Sequence, residues 1–188
     1  MGRVVVTEFV TLDGVMEDPG GSEGFERGGW AFTFERGPEG DAYKLDELLA
    51  SDAQLLGRRT YEGFAKAWPS IEDEAGFAEK MNSMPKFVVS STLRDPEWQN
   101  STVIGADLPT EVGTLKEQFD GDILVAGSAQ LVQGLLAADL VDELRLMIFP
   151  VVLGAGKRLF ADGTDRRPFT VVEAKQVGDC VVQTLRKR

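Results

Sequence analysis

Ile123-Leu124-Val125-Ala126-Gly127-Ser128-Ala129-Gln130 is the stretch on which the fold turns. Asp122 to Ala126 is apolar almost throughout, which predicts a strand buried on both faces, as in a parallel sheet covered by helices. Gly127-Ser128 then opens a helix that runs to about Ala138. Small residues between a buried strand and a helix let a pyrophosphate reach the free N–H groups of the helix end. Close packing of helix on strand accounts for them as well.

Two other strand ends have the same character. Leu55-Leu56-Gly57-Arg58-Arg59-Thr60-Tyr61-Glu62 passes from a short apolar strand (Ala53 to Leu56) into a helix. Gly57 admits a ligand to the backbone, and Arg58 and Arg59 are the paired cations that a phosphate would need. They also read as two solvated arginines at a turn. Phe87-Val88-Val89-Ser90-Ser91-Thr92 ends a strand on three hydroxyls, suited to a phosphate or to capping a turn. Strand ends of an open parallel sheet can converge on one ligand. None of the three is Gly-x-Gly-x-x-Gly, and Gly154-Ala155-Gly156-Lys157-Arg158 is not a Walker A loop.

The remaining pattern fits one domain spanning residues 1–188. Arg3 to Val10 reads as a strand followed by the turn Thr11-Leu12-Asp13-Gly14. Pro19 to Gly40 holds seven glycines in 22 residues, with Trp30, Phe32 and Phe34 among them, and reads as a loop packed over a site. Helices are expected over Asp41 to Ala50, Thr60 to Ala67, part of Ser70 to Asn82, and Thr110 to Gln118; Ser101 to Ile104 is expected as a strand. Val141 to Val152 reads as a long strand region broken at Pro150. Phe169 to Gln176 and Cys180 to Arg186 form a hairpin across Gly178-Asp179.

Composition removes several functions. A net charge of −11 disfavours nucleic acid and anionic membrane as partners. The chain has no histidine and a single cysteine, Cys180, which excludes Ser-His-Asp and Cys-His catalysis and the common zinc sites, so no metal is expected. A lone cysteine and an N-terminus without a signal-peptide pattern lead us to expect a cytoplasmic protein. Chemistry is left to carboxylates, Lys, Tyr, hydroxyls or a bound cofactor.

Taken together, Thr11-Leu12-Asp13-Gly14, Leu56 to Glu62, Val89 to Thr92, Val125 to Ser128, Leu140 to Leu146 and Pro150 to Gly156 resemble the dihydrofolate reductase superfamily. The resemblance covers nearly the whole chain and is nearer to the riboflavin-biosynthesis reductase branch, the RibD C-terminal domain family. It implies an α/β dihydrofolate-reductase-like three-layer sandwich, with a mostly parallel central sheet and a C-terminal antiparallel hairpin. It also implies an NADPH-dependent reductase acting on a small-molecule substrate. Gly57, Arg58, Arg59 and Thr60 would hold phosphates, with Ser90, Ser91 and Thr92 near the adenosine 2′-phosphate. Gly127, Ser128, Ala129, Gln130 and Leu131 would wrap the pyrophosphate and the nicotinamide side.

For catalysis the resemblance points to Asp41, sixteen residues before Gly57, and to Asp13 in the turn. A helix-start aspartate and a plain turn residue account for them too. Trp30, Phe64 and Trp68 are the expected pocket wall, although ordinary core packing accounts for Phe64 and Trp68 as well. A homodimer is implied, with Leu144 to Leu153 as the candidate interface. The departures bear on substrate: Pro69 to Glu79 carries four carboxylates and no arginine, which would repel the anionic tail of folate. Two rival readings are a true dihydrofolate reductase with an atypical tail site and a non-catalytic NADPH-binding protein.

Overall fold

In the computed structural model, which describes residues 1–105 and 107–188, eight strands form one sheet in the order β4-β3-β2-β5-β1-β6-β8-β7. The strands are β1 (Arg3–Thr11), β2 (Ser51–Gly57), β3 (Lys86–Val89), β4 (Ser101–Ile104), β5 (Asp122–Val125), β6 (Glu143–Phe149), β7 (Phe169–Val177) and β8 (Cys180–Lys187). The first six run parallel, while β8 is antiparallel to both β6 and β7. The helices are α1 (Gly37–Leu49), α2 (Arg58–Ala67), α3 (Phe77–Ser83), α4 (Leu108–Gln118) and α5 (Ala129–Ala137). This is the expected three-layer α/β architecture.

Alternation along β1 divides the core between the layers. Val4, Val6 and Val10 pack with Val112 and Leu115 of α4 and with Leu131, Val132, Leu135 and Leu136 of α5. Val5 faces the other way, toward Leu48 of α1 and Tyr61 of α2. A third cluster sits where the chain from the Gly-rich segment crosses β6 and β8. There Trp30 meets Phe149 edge-on at 5.3 Å, beside Val177, Cys180 and Val182.

Several elements depart from the sequence reading for local reasons. Helix α1 starts at Gly37 rather than Asp41, because Gly37 takes a φ of 64° and Pro38 fits the first turn. Its first turn packs on the end of the hairpin, Gly40 lying against Val177. The segment expected to be helical in part is so from Phe77 onward, as expected: the Asp73 carboxylate accepts from the N–H groups of Phe77 and Ala78 and so starts that helix. Strand β6 stops at Phe149 and does not extend to Val152, since Pro150 removes a ladder donor. It also has a strand on each side, and Leu144, Met147 and Phe149 are buried in the core. Of the expected interface segment, the surface-exposed part is therefore the loop after β6, where Val152 is 66% exposed.

At the amino ends of the strands a charge cluster closes the core. Glu143, only 3% exposed, receives Arg3, Arg145 and Arg186, and Asp122 receives Arg3 and Arg145. A groove of about 540 Å³ runs beside α1 here, lined by Arg3, Tyr43, Glu47, Glu143, Arg145 and Arg186. It lies toward the opposite end of the sheet from the glycine-bearing loops, and most of its cations are held by its own carboxylates. Nothing among the described residues is a helix long and apolar enough to cross a membrane.

Candidate functional site

Adjacent strands β3, β2, β5 and β1 bring their carboxyl ends into one row. Gly57 pairs in register with Val89, so the loops after β2 and β3 leave side by side. The Gly57 N–H donates to the Gly127 carbonyl at 3.2 Å. A Cβ added to Gly57 would stand 3.0 Å from the backbone nitrogen and Cβ of Ser128. Glycine at 57 is thus a requirement of this close approach.

Two helices aim their amino ends into the row. Helix α2 has Gly57 as its N-cap, α5 has Ser128, and neither cap supplies a side-chain bond to the first-turn N–H groups. Neither first turn carries an acidic residue. Backbone donors left free in this way, backed by the helix dipole, make an anion site. Arg58 pairs with Glu62 along α2 at 2.9 Å, whereas Arg59 is exposed and has no ion pair among the described residues. Its charge acts on Glu23 of the Gly-rich segment; burial, with Asp18 next, raises the Glu23 carboxyl.

The other residues expected to hold the cofactor divide by exposure. Ser91, Thr92 and Gln130 are at the surface. The Ser90 hydroxyl instead accepts from the Thr92 and Leu93 N–H groups, so it caps its own turn. Ala129 and Leu131 are buried against the sheet and leave only main-chain groups to a ligand. Phe64 and Trp68 are half-buried, edge to face at 6.3 Å, and Trp68 stacks on Phe77 at 5.2 Å, forming an apolar wall beside α2.

Three expectations are corrected. Asp41 does not face the cleft: it is exposed and pairs with Arg36 at 2.7 Å, because the first turn of α1 docks on the hairpin rather than on β1. Asp13 is a structural staple. Its carboxylate accepts from the Thr11 hydroxyl and from the Leu153 and Gly154 N–H groups, and the Thr11 bond foremost holds its pKa down at about 2. An acid that weak in proton affinity cannot deliver a proton near neutrality. Trp30 is no pocket wall either, being 4% exposed, wedged against Phe149 and bonded through its ring N–H to the Glu17 carbonyl. Its anchoring fixes the second half of the segment read as a closing loop, while the Asp18 carboxylate, accepting from the Glu23 and Phe25 N–H groups, ties the first half.

Sequence reasoning passed over a set of polar side chains on β1 and α1. The Thr7 hydroxyl donates to Glu47 at 2.8 Å, and the Lys44 ammonium bonds both of them while lying 5.5 Å from the Phe9 ring centre. Next to Thr7, Glu8 is buried at 8% exposure, and its Oε1 has no hydrogen-bond partner. Burial above all pushes its pKa up to about 8, against the Lys44 charge and the Gly127 N–H, which pull it down. The signal was a single carboxylate inside Val4-Val5-Val6-Thr7-Glu8-Phe9-Val10, hidden because strand alternation makes a polar residue there look solvent-facing.

Comparison with known proteins agrees with this fold. The family model for the RibD C-terminal domain matches residues 3–183. Two Bacillus subtilis (strain 168) proteins are similar over nearly their full lengths. Uncharacterized protein YyaP is 32% identical across 96% of this chain and 92% of its own. Uncharacterized protein YwjB is 28% identical across 95% and 94%. Among solved structures, a putative riboflavin biosynthesis protein from Shewanella sp. PV-4 superposes with a TM-score of 0.78 at 20% identity, covering 99% of both chains. Acinetobacter baumannii RibD gives 0.70 at 18% identity, over all of this chain and 58% of that one. A pyrimidine reductase-like protein from Corynebacterium diphtheriae gives 0.61 at 13%, over 99% of this chain and 92% of that one.

Proposed function

The chain belongs to the RibD C-terminal domain family, and on that premise we propose that it is an NADPH-dependent reductase of a small heterocyclic or carbonyl-type substrate, working in the cytoplasm. The observation that carries the reading is the meeting of Gly57 to Thr60 with Gly127 and Ser128 at two helix ends whose N–H groups are uncapped. An anion bridging two such ends is what a pyrophosphate is. The fit is specific, because a Cβ at Gly57 or Gly127 would fill the cradle.

The residues divide the work by position. Main-chain N–H groups of Arg59, Thr60, Ala129 and Gln130 would take the pyrophosphate, while Arg58 and Arg59 would meet the extra phosphate that distinguishes NADPH from NADH. Bound there, NADPH supplies the hydride. Phe64, Trp68 and Phe77 give the substrate an apolar wall, and Pro19 to Gly29 shields the cleft from water. The names of the structural neighbours, a riboflavin biosynthesis protein and a pyrimidine reductase-like protein, favour a pyrimidine-like compound as the substrate.

The experiment is a titration with NADPH and NADH, read by quenching of tryptophan fluorescence. Micromolar NADPH binding with at least tenfold weaker NADH is the expected result. Binding of neither removes the reductase reading.

A further inference from the structure

Glu8 has no role in the account so far, although its surroundings single it out. It lies on β1, at the point where the chain connections part. From β1 the chain crosses through α1 to β2, on the far side of β5. From β5 it crosses through α5 to β6, on the far side of β1. Open α/β sheets bind their ligands at the carboxyl ends of such a parting. Alternation with Val6 and Val10 puts the Glu8 side chain on the α5 face, next to Gly127 at the end of β5.

The other three positions of that face, Val4, Val6 and Val10, are valine, so the layer is built for an apolar side chain. A carboxyl with an unpartnered oxygen costs stability there that another valine would not. The charged groups around it are few. Lys44 and Glu47 act from α1 and Glu23 from the Gly-rich segment, while α5 (AQLVQGLLA) carries no charge. The preference for the neutral form, with a pKa near 8, is set mainly by burial.

We propose that Glu8 is a positioning residue for the bound dinucleotide, its neutral carboxyl presenting one O–H donor and one C=O acceptor to the primary carboxamide of the nicotinamide. The inference rests on the NADPH reading above. A carboxylic acid and a primary amide are complementary, each offering a donor and an acceptor side by side, so the pair closes a ring of two hydrogen bonds. That ring fixes the rotation of the carboxamide and, with it, the face that the nicotinamide presents. Ionised Glu8 keeps no donor and loses one of the two hydrogen bonds to the carboxamide, so its ionisation weakens the NADPH complex.

The test is binding, not turnover. NADPH and adenosine 2′,5′-bisphosphate, which has no carboxamide, are titrated at pH 7, 8 and 9 against wild type, Glu8→Gln and Glu8→Leu, with thermal melts confirming that all three fold. For wild type the NADPH Kd should rise about tenfold by pH 9, one unit above the Glu8 pKa. Glu8→Gln keeps a donor and an acceptor without titrating, so it should bind like wild type at pH 7 and change less than about twofold by pH 9. Glu8→Leu should bind NADPH about tenfold more weakly at every pH. The bisphosphate should bind all three alike throughout. The inference is overturned by a wild-type NADPH Kd that does not change with pH, by a folded Glu8→Leu that binds as wild type does, or by a bisphosphate that shows the same pH dependence as NADPH. Wild type that binds no NADPH at pH 7 overturns the cofactor reading and this one with it. Tight binding indifferent to Glu8 overturns this one alone.

Discussion

The Thr60 hydroxyl, in the first turn of α2, stands 2.8 Å from where a Cβ on Gly127 would be, so the loop after β5 fits under α2 only with glycine there. Gly127 also has a φ of 94°, a region that side-chain-bearing residues rarely adopt. Gly127→Ala must therefore move Thr60 and strain the loop at once, costing about 1–3 kcal/mol. A lower Tm and at least tenfold weaker NADPH binding are expected together. An unchanged Kd measured by fluorescence would separate this loop from the cofactor.

Arg58 and Arg59 differ in how they are held, one paired with Glu62 and the other exposed and without an ion pair among the described residues. Removing both as Arg58→Ala/Arg59→Ala should weaken NADPH by about tenfold or more and NADH by much less, because a guanidinium–phosphate contact on the 2′-phosphate is lost only in the first case. Arg59→Ala alone should account for most of the effect. Equal losses for the two cofactors would take the 2′-phosphate away from these arginines.

Asp13 predicts a pH dependence of stability. Its folded pKa of about 2 lies below the ordinary value of 3.8, so it stabilises the protein above pH 4, and that contribution is lost as the pH falls through 2. Partial solvent exposure reduces the contribution to about 1–2 kcal/mol. Asp13→Asn should lower the Tm at pH 7 and make the Tm fall less steeply as the pH drops from about 4 to 2, as followed by circular dichroism. A variant as stable as wild type at pH 7 would mean that the Thr11, Leu153 and Gly154 bonds are not what holds the turn.

Lys86 is fully buried at the start of β3, its ammonium donating to the carbonyls of Asn82, Met84 and Gln99 beneath the Trp98 ring. Lys86→Met keeps the volume but leaves three carbonyls without that donor, a loss of about 2–4 kcal/mol. Urea denaturation should report it as a lower midpoint with an unchanged slope. Because this site is at the opposite end of β3 from Ser90, the NADPH Kd of the folded variant should stay within about twofold.

Helix and strand identity was legible wherever the signal is local. Short apolar runs rich in β-branched residues, such as Val4 to Val6 and Ile123 to Val125, read as buried strands and are strands, and the Gly178-Asp179 turn joins the hairpin as its residues require. Pro38 and Asp73 were less legible because one sets a helix start by its fixed φ and the other by accepting from backbone N–H groups, and apolar spacing displays neither.

What the sequence by itself determined was the layered architecture and the row of glycine-bearing strand ends, since burial periodicity and the absence of a Cβ at Gly57 and Gly127 are properties of single residues and their neighbours. Which acid looks into that row was decided only by the tertiary structure. Asp41 and Glu8 carry the same functional group, yet the docking of α1 on the hairpin turns one out to Arg36 and solvent, whereas the covering of β1 by α5 shuts the other away from water. A carboxyl's proton affinity is set by what surrounds it, and those surroundings come from elements far apart in the chain.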